Sequence, residues 1–114
     1  MKIPALPFTT TDWKSLPATE HAGETGVASW RVFELGDLTV RMVEYSPGYL
    51  ADHWCERGHI LYVVEGEIDA ELQDGRSFKL TPGMSYQVTS RGDAAHRSRS
   101  PKGARLFVVD LPDA

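Results

Sequence analysis

The chain has almost no cysteine. Cys55 is the only one among 114 residues, so no intramolecular disulfide can form and nothing calls for an oxidising compartment. Positive charge is also short: twelve Lys and Arg against sixteen Asp and Glu give a formal charge of -4. Such a chain has no electrostatic footprint for a phosphate backbone, and nucleic acid is not an expected partner. No stretch approaches the roughly 20 apolar residues of a membrane helix. Pro4 and Pro7 interrupt the N-terminal MKIPALPFTTTDWK, so it lacks the unbroken apolar segment of a signal peptide. The expectation is a soluble, cytoplasmic protein with no membrane partner. Apolar spacing of three and four is never sustained, which excludes a long amphipathic helix.

What is present fits one globular domain, with 41% hydrophobic and 25% charged residues. Residues 1–28 carry Pro4, Pro7, Pro17, Gly23 and Gly26 and a threonine cluster at 9–11. They read as an extended arm, packing on the domain or on a partner subunit, with one threonine-capped helical turn over 12–16. From Trp30 the texture changes. Segments rich in Val, Ile, Leu, Tyr and Phe at 30–35, 38–45, 60–64, 68–72, 77–80, 84–88 and 106–111 alternate with turn residues about every ten positions. Asp74-Gly75 predicts a two-residue hairpin joining IDAELQ to RSFKL. Residues 29–114 are therefore expected to be all-β, closing into a small barrel or jelly roll of the kind that holds one small ligand.

One stretch carries chemistry: DHWCERGHILYVVE, Asp52 to Glu65. Strand alternation puts His53 and Cys55 on one side if the segment is extended, and sets His59, Leu61 and Val63 on one face of the next strand. A turn at Glu56-Arg57-Gly58 would bring His59 back beside the other two. Imidazole and thiolate suit one divalent transition metal ion, Zn, Ni or Fe, with Cu as a further option, far better than Mg or Ca. His96 is the natural fourth donor, because the remaining histidine, His21, lies in the arm. Each residue also has a plainer role. His53 would be a hydrogen-bonded histidine at a strand mouth, and Cys55 a small buried hydrophobe.

The stretch PGYLADHWCERGHILYVVEGE resembles the first motif of the cupin family, with His53 and Cys55 on its two histidines, His59 on its glutamate and Gly66 on its closing glycine. Pro82-Gly83 followed by His96 and Ser100 resembles the second motif, with His96 on its histidine and Ser100 on its asparagine. Asp52, His53, Trp54 and Cys55 supply the letters of the small single-domain cupins named for a D-H-C-W motif. The resemblance covers about residues 30–111. It implies a double-stranded β-helix, or jelly-roll, barrel of six to eight strands, a metal on inward side chains and commonly a homodimer. It does not imply a reaction, because oxygenases, isomerases, lyases and binding proteins share the fold.

Other residues are ambiguous. Of Tyr86 and Gln87, candidates for contacting a bound ligand, alternation turns one inward, and the same holds for Arg41 against Met42. Arg91, Arg97, Arg99, Lys102 and Arg105 form a basic run that reads as a solvated edge before it reads as an anion anchor. Trp13, Trp30 and Trp54 read as packing residues. Two functions stay open: a metal-dependent cupin acting on a small organic molecule, and a non-catalytic metal- or ligand-binding module.

Overall fold

The computed structural model describes residues 5–112, and all but one of its regular elements are strands. The exception is a 3-10 turn at Trp13–Ser15. The strands are β1 (Thr19–Ala22), β2 (Val27–Leu35), β3 (Leu38–Tyr45), β4 (Tyr49–Leu50), β5 (His59–Gly66), β6 (Ile68–Leu72), β7 (Ser77–Leu80), β8 (Ser85–Val88), β9 (His96–Ser100) and β10 (Ala104–Asp110). They form a six-stranded sheet, ordered β1-β2-β3-β10-β5-β8, and a four-stranded sheet, ordered β4-β9-β6-β7. Every paired strand is antiparallel. The all-β expectation holds. The two sheets do not share a continuous ladder around a closed cylinder among the described residues.

Apolar alternation located β3, β6 and β7 residue for residue. It missed β1, β4 and β9, whose sequences TEHA, YL and HRSRS carry too little alternating apolar character to register. β1 lies inside residues 1–28 and pairs with β2 from Thr19↔Trp30 to Ala22↔Val27, so this half of the arm is an edge strand of the large sheet. The helical turn is present, but Asp12 caps it, accepting from the Lys14 amide. Arg31 Nη1 donates to the carbonyls of Trp13, Lys14 and Leu16, and the Trp13 ring meets Phe107 edge-on. The β6–β7 hairpin has a three-residue loop. Leu72 and Arg76 close the ladder at 2.8 Å, the Gly75 amide donates back to Leu72 O, and Gly75 takes φ 101, a turn followed by a left-handed glycine.

Register places the inward side chains of the large sheet in rows. Glu34, Thr39, Asp110, His59 and Val88 form one row, and Val32, Arg41, Val108, Leu61 and Tyr86 the next. Trp30, Val43, Leu106 and Val63 form a third. The interior therefore runs from polar at one end to apolar at the other. Val63, Leu106 and Ile68 are fully buried in the apolar part. From the opposing sheet come Ile68, Ala70, Leu80 and the inward residues of β9, namely His96, Ser98 and Ser100.

Candidate metal centre

Cys55, His59 and His96 converge at the polar end. One donor atom from each lies within 4.8 Å of the others. Three backbone features produce this. Cys55 and His96 form an isolated antiparallel bridge, with Cys55 N donating to His96 O at 2.7 Å and His96 N to Cys55 O at 2.9 Å, which sets their side chains on a common face. Gly58 lets the following turn lie against the Val88–Ser90 segment, where a Cβ would sit 2.5 Å from Val88 O and Ser90 N. His59 then enters as the first residue of β5 with its ring inward, 8% exposed.

The polar partners of these rings fix their donor atoms. His59 Nδ1 lies 2.7 Å from Asp110 Oδ1, which leaves Nε2 facing Cys55 Sγ at 3.7 Å. Arg41 holds Asp110 from the other side: Nη2 donates to Oδ1 at 2.9 Å, and Nε sits 2.7 Å from Oδ2 but off the hydrogen-bond line. His96 Nε2 is buried with no hydrogen-bond partner among the described residues. Its ring lies edge-on to His59 and to Tyr86, at centroid distances of 5.0 and 5.9 Å. A buried imidazole nitrogen without a partner is costly, and an ion at this point would pair with it. A tetrahedral ion with Zn–S of roughly 2.3 Å and Zn–N of roughly 2.0 Å separates its donors by roughly 3.5 Å. The Cys55–His59 separation of 3.7 Å is close to that.

The electrostatics suit a thiolate. His59 first and His96 second pull the Cys55 thiol down to about 5, against the opposing effect of burial. Burial works against a charged His59, but Asp110 and Cys55 outweigh it and raise its pKa. Burial likewise opposes ionisation of Asp110, yet His59 and Arg41 hold its carboxyl below the usual range. Without metal a Cys55 thiolate and a protonated His59 stabilise each other. Metal binding would displace the His59 proton.

The cluster opens into a cavity of about 400 Å³ between the sheets, lined by Trp30, Arg41, Tyr45, Tyr49 and Tyr86 among others, within the range of small-molecule sites. His53 is also at its wall but not with the donors. Residues 51–58 form bends rather than a strand, so alternation does not carry His53 inward; its ring is 71% exposed and its Nδ1 lies 2.6 Å from Asp52 Oδ1. Tyr86 is the inward member of its pair and lines the cavity, whereas Gln87 is exposed beside Ser85. Arg41 is inward. Trp54 lies under the Arg97 guanidinium, which pairs with Glu71. Ser100 donates to Glu67 O and is fully buried. Sequence reasoning missed Asp110. Its signal was faint: a carboxylate closing the apolar run LFVV.

No protein-family model matches the sequence, and no curated protein matches it. Solved structures do match. Ectoine synthase from P. lautus superposes with a TM-score of 0.74 at 19% identity, over 92% of this chain and 78% of that one. An RmlC-like cupin from Shewanella frigidimarina gives 0.68 at 23%, over 93% and 92%. The Fe(II) form of HppE gives 0.71 at 15%, over 91% of this chain and 60% of its own. With its two antiparallel sheets and a His/Cys cluster at the polar end of the interior, this chain has the cupin fold.

Proposed function

We propose that this protein binds one transition metal ion through Cys55, His59 and His96 and presents it to a small organic molecule in the cavity. The observation that carries this is the convergence of three donors, one a buried imidazole nitrogen without a partner, on an open cavity. Thiolate and imidazole favour Zn, Ni or Fe over Mg or Ca, and the likeness to HppE, solved in an Fe(II) form, supports a bound ion. Three protein ligands leave a coordination position open, the arrangement of a catalytic rather than a closed structural site. The ion would supply Lewis-acid polarisation of a bound oxygen. Asp110 orients the His59 ring and keeps Nε2 as the donor, Arg41 holds Asp110, and Tyr86 packs against His96. His53, with Asp52, stands at the mouth, where it can contact an entering molecule or move onto the ion as a fourth ligand. A fourth protein ligand would give the second reading, a binding module without turnover.

Tyr86 is assigned to ligand contact from the cavity side; Gln87, from its exposed position, would contact a ligand only at the surface. The Asp52–Cys55 tetrad supports placing the chain with the small D-H-C-W cupins. A thiolate ligand fits a reducing, cytoplasmic setting. We assign a homodimer through the outer face of the large sheet, where Phe33, Val40, Val109 and Ile60 form one row and Met42, Phe107 and Tyr62 the next. A sheet with one solvated face alternates apolar with polar; these rows place apolar residues on the outer face instead.

Elemental analysis of protein purified without a metal-affinity tag tests the central proposal. About one equivalent of Zn, Ni, Fe or Cu is expected in the wild type and almost none in His59→Ala or His96→Ala. Less than a tenth of an equivalent in the wild type overturns it.

A further inference from the structure

Arg41 has hydrogen-bonding capacity that the metal centre does not take up. Its side chain is 11% exposed, and it stands inward in the second row of the large sheet, between Val32 and Val108. The one carboxylate it touches, Asp110, is shared with His59. A guanidinium carries five N–H donors, and a single hydrogen bond is made here, from Nη2 to Asp110 Oδ1. Nε finds no acceptor in line, and Nη1 donates to none of the described residues. Nε is turned to Asp110, but Nη1 is not enclosed, so the end of the fork away from Asp110 is reached from the cavity that Arg41 lines and can meet a planar acceptor that enters from outside.

The group is also held still. Trp30 covers one face of the guanidinium, whose carbon lies 4.3 Å from the ring centroid. His21 of β1 stacks on Trp30 at 3.7 Å and 26°, and because the two groups cannot share a ring face, Trp30 is clamped between them. With Asp110 on its flank, the Arg41 fork keeps one orientation in the cavity. A planar, pre-set fork suits a planar anion with two oxygens, which is a carboxylate. Local charge agrees. Arg41 and Arg57 line the cavity together with Glu34 and Asp110, Arg97 is matched by Glu71, and a divalent ion would tip the balance to net positive.

We propose that the cavity takes a small organic carboxylate, its two oxygens on Arg41 and a second oxygen function directed at the Cys55, His59 and His96 donors. This rests on the metal-binding function proposed above and adds the substrate class. Arg41 sits one carboxylate away from His59, so a molecule of a few carbons spans the two ends. Tyr45 and Tyr49, stacked at 4.1 Å and 10°, wall the space beyond.

The test is a paired panel on zinc-loaded protein: malonate, malate and salicylate, each beside its neutral amide, measured by ligand-observed NMR and calorimetry. At least one carboxylate should bind tenfold or more tightly than its amide. Arg41→Gln should lose that preference, and Arg41→Lys, which keeps the charge without the fork, should retain only part of it. Zinc content is measured in every sample. Equal binding of carboxylates and amides, no binding by any carboxylate, or unchanged selectivity in Arg41→Gln at full zinc content each overturn the carboxylate assignment alone. Failure of the wild type to hold zinc overturns the metal site beneath it. A circular-dichroism melt of both variants shows whether they fold, and Arg41→Lys carries the test if Arg41→Gln does not.

Discussion

Four side chains in series, Arg41, Asp110, His59 and Cys55, set the protonation of the centre, and their pH behaviour is open to measurement. In the metal-free protein Cys55 titrates at about 5, below its ordinary 9.0, and His59 above its ordinary 6.5. Between pH 5 and 6.5 the unfolded chain binds the thiol proton while the folded chain does not, so stability must rise with pH. Just above 6.5 the proton retained by His59 offsets the one lost from Cys55, and the rise flattens. A full unit of proton uptake is worth about 1.4 kcal/mol per pH unit, and solvent screening at a half-buried thiol reduces the expected gain over this window to about 1 kcal/mol. Urea midpoints in the presence of EDTA, taken in small steps from pH 5.0 to 7.0, should show the rise and then its flattening just above 6.5. Cys55→Ser should show neither. Asp110→Asn keeps the shape but removes the charge that orients His59; competition against a zinc chelator should show zinc affinity reduced 10- to 100-fold.

Among the elements, the Glu56-Arg57-Gly58 turn matters more than any strand, because it delivers Cys55 and His59 from opposite sides of a three-residue loop. Gly58→Ala would place a methyl group 2.5 Å from the backbone of Val88 and Ser90, atoms that cannot give without distorting β8. Thermal denaturation should show a loss of about 1–3 kcal/mol, and zinc occupancy should fall with it. Ile68→Ala is the contrasting case. It opens a cavity in the apolar part of the interior, so a loss of about 2–5 kcal/mol is expected, with zinc affinity of the folded protein unchanged. β9, like β1 and β4, is an element that periodicity could not show. Its inward residues are His96, Ser98 and Ser100, so a buried strand presents itself as a polar one.

On the scale of the whole molecule, the outer face of the large sheet is where the proposed dimer can be judged. Ile60, Tyr62 and Val64 are 45, 44 and 38% exposed on the single chain, beside Phe107 and Val109 on the neighbouring strand. A stable interface needs roughly 800 Å² from each partner, and the surface offered to it is one apolar row across four strands with a second across three. Sedimentation velocity should give twice the 12.7 kDa chain mass for the wild type and the monomer mass for Ile60→Lys/Tyr62→Lys. A wild type that sediments as a monomer at 100 μM would rule the dimer out.

The order of apolar and turn residues determined by itself that this chain is all-β, where most of its strands lie, and that His59, Leu61 and Val63 share a buried face. Those properties follow from side-chain alternation, which is local to each strand. The spacing of donors in DHWCERGH, with His96 added by elimination, brought three of the cluster's residues into view. Tertiary structure decided the rest. His53 lies outside the cluster because residues 51–58 bend instead of alternating, while the Cys55–His96 bridge depends on pairing across forty residues of chain. Asp110 joins the site through the register of β10 against β5 and β3, and Trp30 is held between His21 and Arg41 only once β1 lies on β2. Long-range register is set by how two sheets pack, and no local pattern in the sequence records it.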